Sequence, residues 1–476
     1  MRQQTPTQYV GIVQLSHPAL LAEAQTVDGK PVIDEELKKA ILDEQEEVIS
    51  RLKDISPDIK IVATYKMVLN AVAFVAPSEV AGQIEGIEGV NKLIQNTNFA
   101  RPQTVGLEKK VTAAIESLKD KNSVSFIGAD KAHKMGISGQ KMRVGVIDTG
   151  IDYTHAMLGG TGKKETYDSI DPSAPNDFFP NAKVVGGADF VGSKYSAGGA
   201  SLEQQVPVRD ENPIDESGHG SHVAGSVAGI GDNIVSYSGV APEAALYALK
   251  VFGKEGSTSD IAVIQALEYA ADPSEKIEPT NRLDVVNLSL GGGFGKPKIL
   301  YTEAIKNLTK AGTIVVASAG NSGDNPYITG APATSDEAIS VAASIDYMPQ
   351  NIAVPAVEVS IEGSSKLVEK VEGNGTIPAD SSKVSGALIH IGTGVEAISE
   401  EVKTQVKGRI ALMDRGAISF EQKFQVAKAL GASGVVMVNN VDGAPIAMGS
   451  ENKYDFPAVM VTKSLGDAIK AALAKK

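Results

Sequence analysis

Four short apolar runs constrain the architecture this chain can adopt. Residues 144–147 (VGVI), 246–251 (LYALKV), 285–288 (VVNL) and 314–317 (IVVA) each give way to Gly, Asp, Asn or Ser, and helical patterns at 259–271 and 299–311 lie between them. Runs this short, without polar alternation, suit strands buried on both faces, and such strands joined by helices form a parallel sheet. The expectation is a doubly wound, mostly parallel α/β domain, with ligands beyond the carboxyl ends of the strands. The polar residues that follow the runs fall at those ends.

The flanking regions carry other patterns. Residues 9–15 read as a strand, and 35–53 place Leu37, Ile41, Val48 and Leu52 on one helical face. Two β-rich runs follow at 59–65 and 67–75, then a short helix from Pro77 and a last strand at 90–95. This β-α-β-β-α-β order is a ferredoxin-like plan. The predicted organisation is therefore an α+β unit at 1–100, a polar linker at 101–124 with a helix at 109–119, the parallel α/β domain at 125–350, and a β-rich unit at 351–476.

Composition narrows the function. A formal net charge of −13 argues against a nucleic-acid or anionic-membrane partner, which most of this surface would repel. With no cysteine, disulfides, thiolate catalysis and Cys-ligated zinc are excluded. No run approaches the roughly 20 apolar residues of a membrane span. The first residues, MRQQTPTQYVGIVQL, lack the apolar core of a secretory signal.

Four elements carry chemistry. Asp148-Thr-Gly150 ends the first run with a carboxylate and a turn-making glycine. Alone, that Asp equally fits the phosphate- or metal-facing Asp of many α/β folds. Ser217-Gly-His219-Gly-Ser-His222 opens a helix of small residues, and H-x-x-H without a nearby Glu lacks the usual zinc spacing. Ser289-Leu290-Gly291 opens a strand end into bare backbone, suited to pairing with an extended peptide. Asn321 follows the fourth run, where its amide could donate to a developing oxyanion. A nucleotide site is disfavoured because no G-x-G-x-x-G or P-loop follows any run.

In identity, order and spacing, these elements resemble the subtilisin-like serine proteases, over about residues 125–348. The resemblance implies that Asp148 orients His219, that His219 is general base and then general acid, that Ser289, Leu290 and Gly291 pair with substrate backbone, and that Asn321 serves the oxyanion hole. It implies a polypeptide substrate and a secreted or cell-surface location. Residues 9–95 resemble the inhibitory propeptide of that family, so the chain's own N-terminal unit becomes an expected intramolecular inhibitor. Lys407-Gly-Arg-Ile-Ala-Leu-Met-Asp-Arg-Gly416 and Phe456-Pro-Ala-Val459 resemble the protease-associated domain, often inserted between the oxyanion Asn and the nucleophile.

The pattern departs at one point. The family presents its nucleophile in Gly-Thr-Ser-x-Ala, and none occurs in these 476 residues, so no nucleophile is assigned and near-inertness of the chain as written is expected. An alternative is a non-catalytic protease-binding or inhibitory protein. No cofactor is required. Residues 159–215 read as an insertion with Asp168, Asp171, Asp177 and Asp189, conceivably a calcium loop but better described as a solvated acidic loop.

Overall fold

The computed structural model describes residues 8–101, 123–231, 238–293, 295, 299–321, 326–344, 356–359, 368–372, 374–377, 384–395, 398–442, 445, 448 and 454–474. The expected helix at 109–119 lies outside them. Two compact units are formed, one by Met1–Pro102 with Lys119–Asp346 and the other on residues 347–476.

In the first unit, the N-terminal region consists of β1 (Gln8–Leu15), α1 (Glu35–Ile55), β2 (Lys60–Tyr65), β3 (Ala71–Pro77), a helical turn at Ala81–Ile84 and β4 (Val90–Gln95). The sheet is antiparallel in the order β2-β3-β1-β4, the ferredoxin-like plan. Asp34 caps α1 by accepting from the Glu36 and Leu37 amides at 2.8 and 3.3 Å. One sheet face, with Val13, Val72 and Phe74, packs on Val48 and Leu52 of α1. The opposite face, with Ile12, Ala71 and Ala73, joins a cluster that includes Ile261, Ile264 and Tyr301 from the α/β domain. Burial of both faces therefore requires two partners, and the larger domain supplies one.

The run predicted as a strand at 67–75 starts later, at Ala71. The amides of Lys66, Met67 and Val68 instead donate to the Glu268 carboxylate at 2.5, 2.7 and 2.9 Å, which removes them from the ladder. A small hairpin, Gln25–Val27 with Lys30–Val32, adds to the predicted elements.

The domain that follows contains β5 (Asn98–Phe99), β6 (Arg143–Asp148), β7 (Val184–Asp189), α2 (His219–Ala228), β8 (Ala245–Lys250), β9 (Thr258–Ser259), α3 (Asp260–Ala271), β10 (Val285–Leu288), α4 (Ile299–Lys310), β11 (Ile314–Ser318) and β12 (Ile339–Val341). Six of these strands form a parallel sheet in the order β12-β11-β10-β6-β8-β7. The order of connection reverses at β6, so the crevice beyond its carboxyl end is the natural ligand position. Asp148 is the last residue of that strand. The segment read as an acidic insertion contributes β7 to the sheet, which corrects its reading as a loop throughout.

The second unit has strands β13 (Asn374–Ile377), β14 (Leu388–His390), β15 (Ile410–Asp414), β16 (Gly434–Val438) and β17 (Ala458–Val461) in the order β13-β17-β16-β15-β14. β14 to β17 are parallel, and β13 is antiparallel to β17. Helices α5 (Glu400–Val406), α6 (Phe420–Ala429) and α7 (Lys463–Leu473) accompany them. Phe424, Ala427, Val435 and Met437 share one core, while Leu412, Val436, Leu465 and Ile469 share another. Alternate residues of β16 thus point into different cores, as a strand buried on both faces requires.

Candidate active site

Helix α2 begins where the loop after β6 passes, and the approach is close. A Cβ on Gly220 would sit 2.1 Å from the Gly150 carbonyl, so only glycine lets the helix start beside Asp148. There the His219 Nδ1 lies 2.7 Å from Asp148 Oδ1. The Asp148 side chain is 0% exposed and that of His219 is 19% exposed, which leaves one edge of the ring open.

Burial raises the Asp148 pKa, against the opposing hydrogen bond and charge of His219 and the Thr149 amide. For His219, burial lowers the pKa, but the hydrogen bond and charge of Asp148, with the charge of Asp215, outweigh it and the net shift is upward. A buried carboxylate beside a partly open imidazole can fix one tautomer and stabilise an imidazolium. The arrangement is therefore suited to accepting a proton from a nucleophile and returning it to a leaving group.

A second carboxylate holds this pair in place. Asp215, 2% exposed, accepts from the Thr149 hydroxyl at 2.9 Å, the Ser217 and Gly218 amides at 2.8 and 2.9 Å, and the Ser221 amide and hydroxyl at 2.9 and 2.7 Å. Thr149 Oγ1 in turn accepts from the Gly220 amide at 2.8 Å. Asp215 thus ties the strand end carrying Asp148 to the helix start carrying His219. Sequence reasoning missed it, because Asp215 lies outside the helix, whose N-cap is Gly218, and no local rule assigns it these partners.

Of the remaining expected residues, Ser289 to Gly291 follow the carboxyl end of β10 and Asn321 follows that of β11. Leu290 is buried, and Asn287 Nδ2 donates to the Ser289 hydroxyl at 2.9 Å. Asn321 is exposed three residues past the end of β11. His222 is exposed on α2. The acidic residues of 159–215 do not converge: Asp168 pairs with Lys164, Asp171 caps Ser173, and Asp189 is fully buried with Lys250 Nζ at 2.9 Å. Asp189 is therefore not part of a solvated loop. Among the described residues, no group of three or more His, Asp or Glu is placed to hold a metal ion.

A short strand of the N-terminal segment pairs with this domain. β5 runs antiparallel to β9, pairing Phe99 with Thr258 and Asn98 with Ser259. Phe99 is 8% exposed, with its ring centroid 5.8 Å from that of Tyr301. Arg101 donates to the Lys254 carbonyl, and its charge acts on His219.

The fold and this site define a class. The subtilase family matches residues 139–396, over half of the chain, and the PA domain matches 368–469. The chain belongs to the subtilase family. It is 29% identical to the minor extracellular protease Vpr of Bacillus subtilis (strain 168), over 91% of this chain and 47% of that protein. It is 32% identical to subtilisin DY of Bacillus licheniformis, over 60% of this chain and 89% of that protein. It is also 32% identical to the PI-type proteinase of Lactococcus lactis subsp. cremoris, over 63% of this chain and 16% of that protein. The chain thus spans about half the length of the Vpr relative. Among the described residues, no helix is long and apolar enough to cross a membrane.

Proposed function

We propose that this chain belongs to an extracellular subtilisin-like serine endopeptidase precursor, in which the N-terminal ferredoxin-like region inhibits the enzyme by occupying its substrate groove. The observation that carries the reading is the extended strand Asn98–Phe99, antiparallel to Thr258–Ser259 and continued by Arg101, which donates to the Lys254 carbonyl. Three further links favour the same role for this region. Glu268 takes three of its backbone amides, Asn307 Nδ2 donates to the Val68 carbonyl at 2.9 Å, and the Tyr65 hydroxyl donates to the Ile261 carbonyl at 3.0 Å.

In this reading, His219 removes the proton of a serine as it attacks the peptide carbonyl, Asp148 stabilises the imidazolium, and the proton then passes to the leaving amine. Asn321 donates to the oxyanion, and Ser289 to Gly291 pair with the substrate. The chain spans about half of the Vpr relative, so the acyl-transfer role stands as a proposal for the whole protein. Casein hydrolysis by the complete gene product, abolished by His219→Ala and by a fluorophosphonate, is the expected outcome. Hydrolysis that survives His219→Ala would overturn the proposal.

The hold of Glu268, Asn307 and the Ile261 carbonyl on the N-terminal region also suits a second reading, a non-catalytic protease-binding protein. Inhibition of subtilisin by the 476-residue chain, with no fluorophosphonate labelling of the complete gene product, would support it over the first.

A further inference from the structure

β8 reads Ala-Leu-Tyr-Ala-Leu-Lys, an apolar strand that ends in a single charge. It runs between β6 and β7, and the register sets Lys250 level with Asp148 on one side and Asp189 on the other. Lys250 is 0% exposed, so its ammonium is out of contact with solvent. A cation buried in this way is held by the carboxylates that pair with it. Asp189 Oδ2 lies 2.9 Å from the Lys250 Nζ, and Glu216 Oε2 lies 3.2 Å from it. Burial acts to lower the Lys250 pKa, but the charges of the two carboxylates outweigh it and the net shift is upward.

One carboxylate would neutralise the ammonium, and the two come from different places. Asp189 is fixed at the end of β7, where its Oδ1 accepts from the Val191 and Gly192 amides at 2.9 and 2.7 Å. Glu216 belongs to the loop between Asp215 and His219, which is neither helix nor strand. Its Oε2 accepts from Lys250 Nζ and from the Ser193 hydroxyl, at 3.2 and 2.6 Å. The backbone beside Lys250 meets the other half of the pair, since the Val251 amide donates to the Asp148 carbonyl at 2.9 Å. The end of β8 therefore holds the strand that carries Asp148 and, through one side chain, the loop that carries His219. Asp215 ties that loop to Thr149, and Glu216 ties it to β7 and β8. Two ties remove the pivot that one would leave.

We propose that Lys250 and Glu216 are positioning residues for His219, in which the ammonium, anchored on Asp189, holds Glu216 inward and so sets the imidazole against Asp148. This inference rests on the reading of His219 as the general base, for which a displacement of about 1 Å can cost roughly 10²-fold in rate. The charges that act most on His219 are those of Asp148, Asp215 and Arg101, so Glu216 works through place and not through its field.

The test follows the His219 ring by NMR in the 476-residue chain, which needs no catalytic turnover. Glu216→Ala leaves Lys250 paired with Asp189 and cuts the tether. His219 should then lose at least about threefold in proton affinity, a part of the roughly 1–3 pKa units that a charge in contact supplies. Glu216→Gln removes the same charge but still accepts from Lys250 and Ser193, and His219 in it should titrate as in the native chain. Glu216→Asp keeps the charge, falls one methylene short of Lys250, and should resemble Glu216→Ala; it gives the same reading if the alanine variant does not fold. His219 unchanged in Glu216→Ala and Glu216→Asp, or shifted equally in Glu216→Gln and Glu216→Ala, overturns the clamp. A shifted His219 in Glu216→Ala, together with casein hydrolysis that survives His219→Ala in the complete gene product, overturns the general-base reading and leaves the clamp standing.

Discussion

Two imidazole–carboxylate pairs of the same length occupy different surroundings in the two units. His219 Nδ1 lies 2.7 Å from Asp148 Oδ1, and His390 Nε2 lies 2.7 Å from Asp414 Oδ2. Asp148 is wholly buried, whereas the Asp414 side chain is 25% exposed and has Lys470 Nζ at 2.9 Å. Burial acts to raise the Asp414 pKa, but hydrogen bonds from Lys470 and His390, and their charges, outweigh it and the net shift is downward. Among the described residues, no lysine or arginine pairs with Asp148, so its charge is directed at His219. Distance is thus the same in both pairs, and what differs is how much of the carboxylate's field reaches the imidazole.

The largest expected effect tests that difference directly. Under the proposed acyl-transfer role, Asp148→Asn in the complete gene product should lower kcat by roughly 10⁴-fold, the order of loss seen when the triad aspartate of subtilisin itself is removed. By NMR, His219 should titrate above the ordinary imidazole range in the native chain and lower in Asp148→Asn, since burial then acts almost unopposed. An unchanged titration would remove the distinction between the two pairs.

Next in size is Asp215→Ala, which leaves the buried Thr149 hydroxyl and the donors of Ser217, Gly218 and Ser221 without their acceptor. About 3 kcal/mol of destabilisation in urea is expected. Asp414→Asn should cost less than about 1 kcal/mol, because that pair is partly solvated. A cost as large as that of Asp215→Ala would show the second pair to be structurally central.

The smallest effects are in pH, and their signs differ. The raised His219 pKa contributes stability that is full below the unfolded value of about 6.5 and is lost as pH rises through the folded value. The lowered Asp414 pKa contributes stability present above about 3.9 and lost as pH falls through the folded value. Urea titrations should therefore show the difference between native chain and His219→Ala shrinking in mild alkali. The difference between native chain and Asp414→Asn should shrink in acid.

The site is only partly legible in the sequence. Asp148 and His219 can be found because each sits at a recognisable junction, a strand end with a glycine turn and the start of a small-residue helix. The strand β7 escapes notice because Val184-Val-Gly-Gly-Ala-Asp189 carries two glycines in a segment rich in Asp, and composition there suggests a loop. Asp189 is misread for the same reason, since its partner Lys250 is far away in sequence.

Local pattern alone determined the parallel sheet, the position of β6 and the helix that carries His219, because burial and period are written into consecutive residues. Only the tertiary structure decided what Asp215, Glu216 and Glu268 do. Each is a carboxylate whose role depends on which distant amides and hydroxyls reach it, and no spacing rule encodes that meeting. The same holds for Phe99, an ordinary aromatic in a polar stretch until folding brings Gly292 and Tyr301 against it.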